Sequence, residues 1–230
     1  MIDLSRPLVA QEQMDAADLA PAVYAAVLRD LSAVNRWTLA AWPTIGFLNR
    51  IAPRGEPLRI LDVGYGAGDM LRRIARWSAR RGIPVELVGI DINPNSAAVA
   101  QSLTAPELGI DYRTGDYAAL GGEGWDVILS NLVAHHMTRA ELIAFLGFMD
   151  RESRRGWLVN DLLRHRFAYH GYPLLARLMR WHPIVRADGT LSIARAFRPP
   201  EWSDLLDAAG ISEARIFHVF PFRLCVERCR

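Results

Sequence analysis

The feature that most constrains this chain is a change of pattern at residue 58. Leu58 to Val63 (LRILDV) is a short apolar run, it ends in Gly64-Tyr65-Gly66-Ala67-Gly68, and an amphipathic pattern follows from about Asp69 to Arg81. A buried strand, a glycine turn and a helix in that order form the opening of a βαβ unit. The same alternation then repeats. Val85 to Ile90, Ile110 to Arg113, Trp125 to Ser130 and Trp157 to Asp161 read as further strands, with helices expected after Pro94 and near Arg139 to Met149. Strands separated by helices must run parallel, and helices then cover both faces of the sheet.

The two ends depart from that rhythm. Residues 11 to 52 read as helical, broken at Pro43, and Ala-Pro-Arg-Gly-Glu-Pro over 52–57 marks a boundary. After a helix from about Pro200 to Gly210, Ala214 to Phe220 and Phe222 to Arg228 are separated by Pro221 alone, so they must pair antiparallel. The expected fold is α/β: a Rossmann-like, seven-stranded, mostly parallel sheet with an antiparallel terminal strand. An N-terminal helical cap is expected over 1–57 and the main domain over 58–230. Residues 162–199, far longer than an ordinary connection, are expected to form an insert of one helix plus a loop.

Composition removes several classes of chemistry. Of 230 residues, all 27 cationic ones are arginine, which excludes a Schiff-base or pyridoxal-phosphate lysine and a Walker A lysine. Two cysteines, Cys225 and Cys229, are too few for a disulfide framework and form no zinc pattern. A net charge of +2 lacks the concentrated basic face of a nucleic-acid binder, and Arg151, Arg154 and Arg155 read as a solvated helix end. The charged N-terminus is no signal peptide and no stretch of 18 apolar residues occurs, so a cytoplasmic protein without a membrane span is expected.

In an open α/β sheet ligands bind beyond the carboxyl ends of the strands. The glycines at 64, 66 and 68 let backbone approach a ligand there, and Asp91, at the end of the second strand, suits a pair of ribose hydroxyls. A dinucleotide site would need Gly or Ala where Asp69 stands, and an acid there opposes a diphosphate. An NAD(P)-binding oxidoreductase, the rival from another class, is disfavoured by Asp62 and Asp69. A ligand carrying ammonium and sulfonium groups reverses that electrostatic logic.

Asp62-Val63-Gly64-Tyr65-Gly66-Ala67-Gly68, an acid after strand two, Gly115-Asp116 after strand three and a polar end to strand four together resemble a class I S-adenosylmethionine-dependent methyltransferase. The resemblance implies S-adenosylmethionine as cofactor and S-adenosylhomocysteine as product. It places Gly64, Tyr65, Gly66 and Gly68 along the cofactor, Asp62 near its amino group, Asp91 on the ribose and Ile92 on the adenine. Asp116 and Tyr117 would lie by the adenine amino group, and Asn131 and Leu132 by the methionine part. It also puts the loop after strand four beside the transferring methyl, making His135 the expected base or acceptor-orienting residue, with His136 turned into the protein. Catechol-type relatives use an Asp after strand four and an Asp-Asn pair after strand five. This chain has Asn131 and the reversed Asn160-Asp161, so no metal is expected. Arg36, Trp37, Asn160, Asp161, Arg164 and His165 are expected to meet the acceptor, with Asp161 capping the next helix or pairing with Arg164 as its alternative. The aromatic-rich cap and insert suit a small aromatic or phenolic acceptor. A second resemblance, carried by residues 157–172, 188–197 and 199–202, points to bacterial small-molecule methyltransferases of polyketide and quinone-like phenols. It implies O-methylation in secondary metabolism, with C-methylation of a quinone precursor as the competitor. The oligomeric state, monomer or homodimer, is left open.

Overall fold

The computed structural model describes residues 3–16, 18–52 and 55–230. Helix α1 (Pro21–Trp37) starts on a proline, whose missing N–H costs nothing at a first helical position. Helix α2 (Ala41–Ile51) carries Pro43 in its first turn, so the break expected at that proline is instead a helix start. A short 3-10 turn, Gln13–Asp15, precedes both helices.

The alternating region follows as β1 (Leu58–Val63), α3 (Asp69–Arg81), β2 (Val85–Asp91), α4 (Pro94–Ser102), β3 (Asp111–Thr114), β4 (Trp125–Asn131), α5 (Arg139–Glu152) and β5 (Ser153–Leu162). Thr138 and Glu141 cap α5 reciprocally, and the helix runs straight into β5. Arg154 and Arg155 therefore lie within a strand, not on the helix end expected for them. The insert contains two helices, α6 (Arg166–Leu178) and α7 (Pro183–Arg195), where one and a loop were expected. The second begins at His182-Pro183, where the His182 ring accepts the Ile184 N–H ahead of a helix-starting proline. Helix α8 (Pro199–Ala208), β6 (Arg215–Val219) and β7 (Arg223–Cys229) complete the chain.

The seven strands take the order β3-β2-β1-β4-β5-β7-β6, and β7 runs antiparallel to both its neighbours. β1 pairs in parallel with β2 on one side and β4 on the other, so the strand order reverses there and opens a crevice at the strand ends. Alternate residues of β1 serve different faces. Leu58 and Ile60 pack with Phe47 and Leu48 of α2 and Leu71 and Ile74 of α3. Leu61 and Val63 pack with Phe145 and Leu146 of α5 and Trp202 of α8. Helix α2 thus shares the main core. Among the described residues no helix is long and apolar enough to cross a membrane.

Candidate active site at the strand ends

The glycine turn is built by exclusion. Gly64, Gly66 and Gly68 all have φ between 53° and 77°, a region that costs other residues roughly 1–2 kcal/mol. A Cβ at Gly64 would collide with Val133, and one at Gly68 with the Tyr112 ring. The turn is locked to the end of β2 by Asp91, whose carboxylate accepts the Gly66 N–H and the Asn93 N–H, each at 2.9 Å.

Three carboxylates surround this turn. Asp62, 1% exposed, accepts one hydrogen bond, from the Asn131 side chain at 3.1 Å, and burial pushes its pKa up to about 7. Burial also raises Asp91, against the pull of its N–H donors, and Asp69, against the nearby Arg72 and Arg73. Among the described residues none of the three forms a salt bridge with a basic group. A diphosphate here would add negative charge to acids already resisting ionisation. A cationic ligand would relieve them. The residues therefore fit S-adenosylmethionine, whose ammonium and sulfonium supply the missing positive charge.

The other residues expected at the cofactor differ in what they present to the crevice. Ile92 is 80% exposed on the lip beyond Asp91, an unusual place for a large aliphatic group. Asp116 is exposed and accepts the Ala118 N–H at 2.8 Å. Leu132 holds φ 62° and donates its N–H to the Asn160 carbonyl. The rings of Tyr65 and Tyr117 turn elsewhere. Tyr65 packs on Tyr112 within the core, and Tyr117 stands edge-on to Phe145 and Phe148 of α5. Apolar packing outcompetes the crevice for both side chains, which leaves the Tyr65 backbone to the turn.

A polar ladder crosses from β1 to the N-terminal helices. Asn131 Nδ2 donates to Asp62, while Asn131 Oδ1 accepts from Asn160 Nδ2 at 3.1 Å and from Thr44 Oγ1 at 2.8 Å. Asn160 is fully buried and also donates to the Ala40 carbonyl at 2.7 Å. It ties α2 to the sheet and has no surface left for an acceptor. Thr44 had no motif to announce it; its role arises where α2 crosses the strand ends.

The histidine pair is oriented opposite to expectation. His135 is the buried ring, 3% exposed at its side chain, and His136 the more open one, at 27%. The cause is Asp161, fully buried on β5. Its carboxylate accepts the His135 backbone N–H at 2.9 Å and lies 2.6 Å from His135 Nδ1. Asp161 neither caps a helix nor pairs with Arg164. The adjoining His135 and these hydrogen bonds hold its pKa below the ordinary carboxylate range, overcoming burial. His136 Nδ1 lies 3.0 Å from Asp15. Both Nε2 atoms face Glu12, a buried residue with no sequence signal, at 3.8 Å from its two oxygens. Burial raises Glu12 to about 7. Helix α7 supplies the grip on this arm from one face. Asp188 accepts the Gln13 and Met14 N–H groups, Ser192 donates to Glu12 at 2.8 Å, and Arg195 Nη1 stands 3.7 Å from Glu12.

The remaining expected acceptor residues have other work. Arg164, 1% exposed, donates to the Leu4, Ser5 and Ala196 carbonyls and pairs with Glu201 at 2.5 Å. Its guanidinium is consumed as a clamp. His165 caps α6 by accepting the Phe167 N–H and stacks on Phe222. Arg36 and Trp37 are exposed at the end of α1, Trp37 by 60%.

Comparison with known proteins agrees with this geometry. A family profile described as a methyltransferase domain matches residues 60–156. The ubiquinone biosynthesis O-methyltransferase of Cereibacter sphaeroides is 32% identical over 163 residues, covering 68% of this chain and 61% of that protein. The chain spans about three fifths of the length of the curated relatives it matches. Among solved structures, an S-adenosylmethionine-dependent methyltransferase from Aquifex aeolicus superposes with a TM-score of 0.62 at 18% identity, over 91% of this chain and 98% of that one. Human N-acetylserotonin methyltransferase gives 0.66 at 15% identity, over 97% and 60%. With its sheet order, its glycine turn between unpaired acids and its family match, the chain belongs to the class I S-adenosylmethionine-dependent methyltransferases.

Proposed function

We propose that this chain transfers a methyl group from S-adenosylmethionine to an oxygen of a small aromatic acceptor. The observation that carries the cofactor half is the set of three carboxylates around the glycine turn, Asp62 buried and Asp69 and Asp91 half-buried, none of which forms a salt bridge among the described residues. Bound there, S-adenosylmethionine supplies an electrophilic methyl on a sulfonium. Asp62 receives the ammonium, Asp91 the ribose hydroxyls, and the Ile92 side chain offers an apolar surface to the adenine. Asp116 stands at the rim on the same side.

For the acceptor half, displacement at a methyl depends on alignment and exclusion of water, but a hydroxyl must also lose a proton. His135 serves that step in the metal-free protein: Asp161 fixes its ring through Nδ1, which leaves Nε2 to take the acceptor's proton. His136 orients beside it. The N-terminal segment 1–57 and the insert 162–199 form the cover, a reading supported by α7 gripping the Glu12 arm. Similarity to proteins named as ubiquinone O-methyltransferases favours oxygen over carbon.

Calorimetry should show S-adenosylhomocysteine binding and no NADH binding, and labelled methyl should move to a phenol in a screen that also contains quinone precursors and RNA. NADH binding in place of S-adenosylhomocysteine would overturn the cofactor reading. Label appearing on RNA alone would overturn the acceptor reading.

A further inference from the structure

We propose that Glu12, His135 and His136 bind one divalent transition-metal cation of the class that takes nitrogen and carboxylate ligands together, zinc being the type. The three residues present one ligand atom each, all within 4.8 Å of one another. The expectation of no metal rests on the cysteines, Asn131 and the Asn160-Asp161 pair, and Glu12 is not among them.

Three observations point to an ion. The first concerns lone pairs. Asp161 and Asp15 each occupy the Nδ1 side of one histidine, which directs the Nδ1 proton toward a carboxylate and leaves Nε2 as the acceptor. Both Nε2 atoms then face the oxygens of Glu12, acceptors facing acceptors at 3.8 Å. That spacing is too long for a hydrogen bond. Ligand bonds of about 2.0–2.1 Å in a tetrahedral site put ligand atoms roughly 3.3 Å apart, so a modest contraction would close the site on an ion.

The second concerns the outer shell. Metal-binding histidines are characteristically held at their other nitrogen by a carboxylate, which fixes ring orientation and raises basicity. Here both rings have such a partner, from different parts of the chain. The third concerns Glu12 itself. Asp188, Ser192 and Arg195, spaced along one face of α7, hold the Glu12 turn in place. A free surface arm does not need that degree of support. Two histidines and one carboxylate leave coordination positions open, as in sites where an ion also takes a substrate oxygen.

The site's existence does not depend on the methyltransfer reading. With the ion bound, His135 becomes a ligand, and the ion's charge replaces imidazole in favouring the deprotonated acceptor.

Tag-free, chelator-stripped full-length protein should be titrated with Co2+, followed by its visible absorption, and with Zn2+ in competition. One ion per chain is expected, with the absorption intensity of a site of low coordination number. Glu12→Gln and His136→Ala should each weaken binding at least tenfold, while His218→Ala, on the exposed edge strand β6, should leave it unchanged. The half-open His136 ring can be removed with little loss of packing, and circular dichroism would verify folding. Absence of stoichiometric binding by the parent protein, or equal affinity in the parent and folded His136→Ala, would overturn the site. S-adenosylhomocysteine affinity measured on the same stripped protein reports separately on the cofactor reading.

Discussion

The two halves of the crevice handle charge in opposite ways. Around the glycine turn Asp62 is buried and Asp69 and Asp91 are half-buried, none of them forms a salt bridge among the described residues, and burial raises all three. At the ends of β4 and β5, Asp161 is buried as deeply as Asp62 yet held below its ordinary range by His135. Burial is similar; the difference is a partner supplied by the chain. Where the protein provides the partner, the site is complete before anything binds. Where it does not, the ligand must bring it.

Breaking the self-sufficient half should have the largest effect. Asp161→Asn removes the charge paired with His135 in a fully buried position, and a loss of about 3–5 kcal/mol in unfolding free energy is expected from denaturant titration. A loss under ~1 kcal/mol would mean the pair contributes little.

The ligand-dependent half should respond with the opposite sign. A carboxyl raised from 3.8 to about 7 supports the fold while protonated, below its unfolded value, and that support is lost as pH rises toward 7. Above that pH, ligand-free Asp62→Asn should be more stable than the parent by about 2–4 kcal/mol, yet bind S-adenosylhomocysteine more weakly. An ammonium beside Asp62 would favour its ionisation, so binding near pH 6 should release a proton. Calorimetry in buffers of different ionisation enthalpy measures that release, and none at all would place the ammonium elsewhere. The smallest effect is expected from Asp91→Ala: about tenfold weaker S-adenosylhomocysteine binding, or roughly 1.4 kcal/mol. Unchanged affinity would remove its ribose role.

How far the sequence could be read follows the same division. The glycines, Asp62 and Asp91 are legible because a strand, a turn and a helix lie within a few residues of one another and carry their own pattern. So are the strand spans and the antiparallel end, apart from the N-terminal half of β5, where Arg154 and Arg155 mask the strand pattern. The Glu12 cluster is not local. Its members come from the first turn, the β4 loop, the end of β5 and α7, and no periodicity encodes their meeting. Reading the histidines without Asp161 inverted their exposure. Reading Arg164 and Asn160 without their carbonyl partners made ligand contacts of two structural ties. Buried polar residues are decided by what crosses over them, which only the three-dimensional chain discloses.

The α7 face that holds Glu12 makes the front of the chain one wall of the crevice. A version trimmed ahead of α1 would keep Asp62, Asp91 and the glycine bend intact while losing both Glu12 and Asp15. It would also strip the buried Arg164 guanidinium of its Leu4 and Ser5 carbonyl partners, so the damage would reach the insert as well as the histidines.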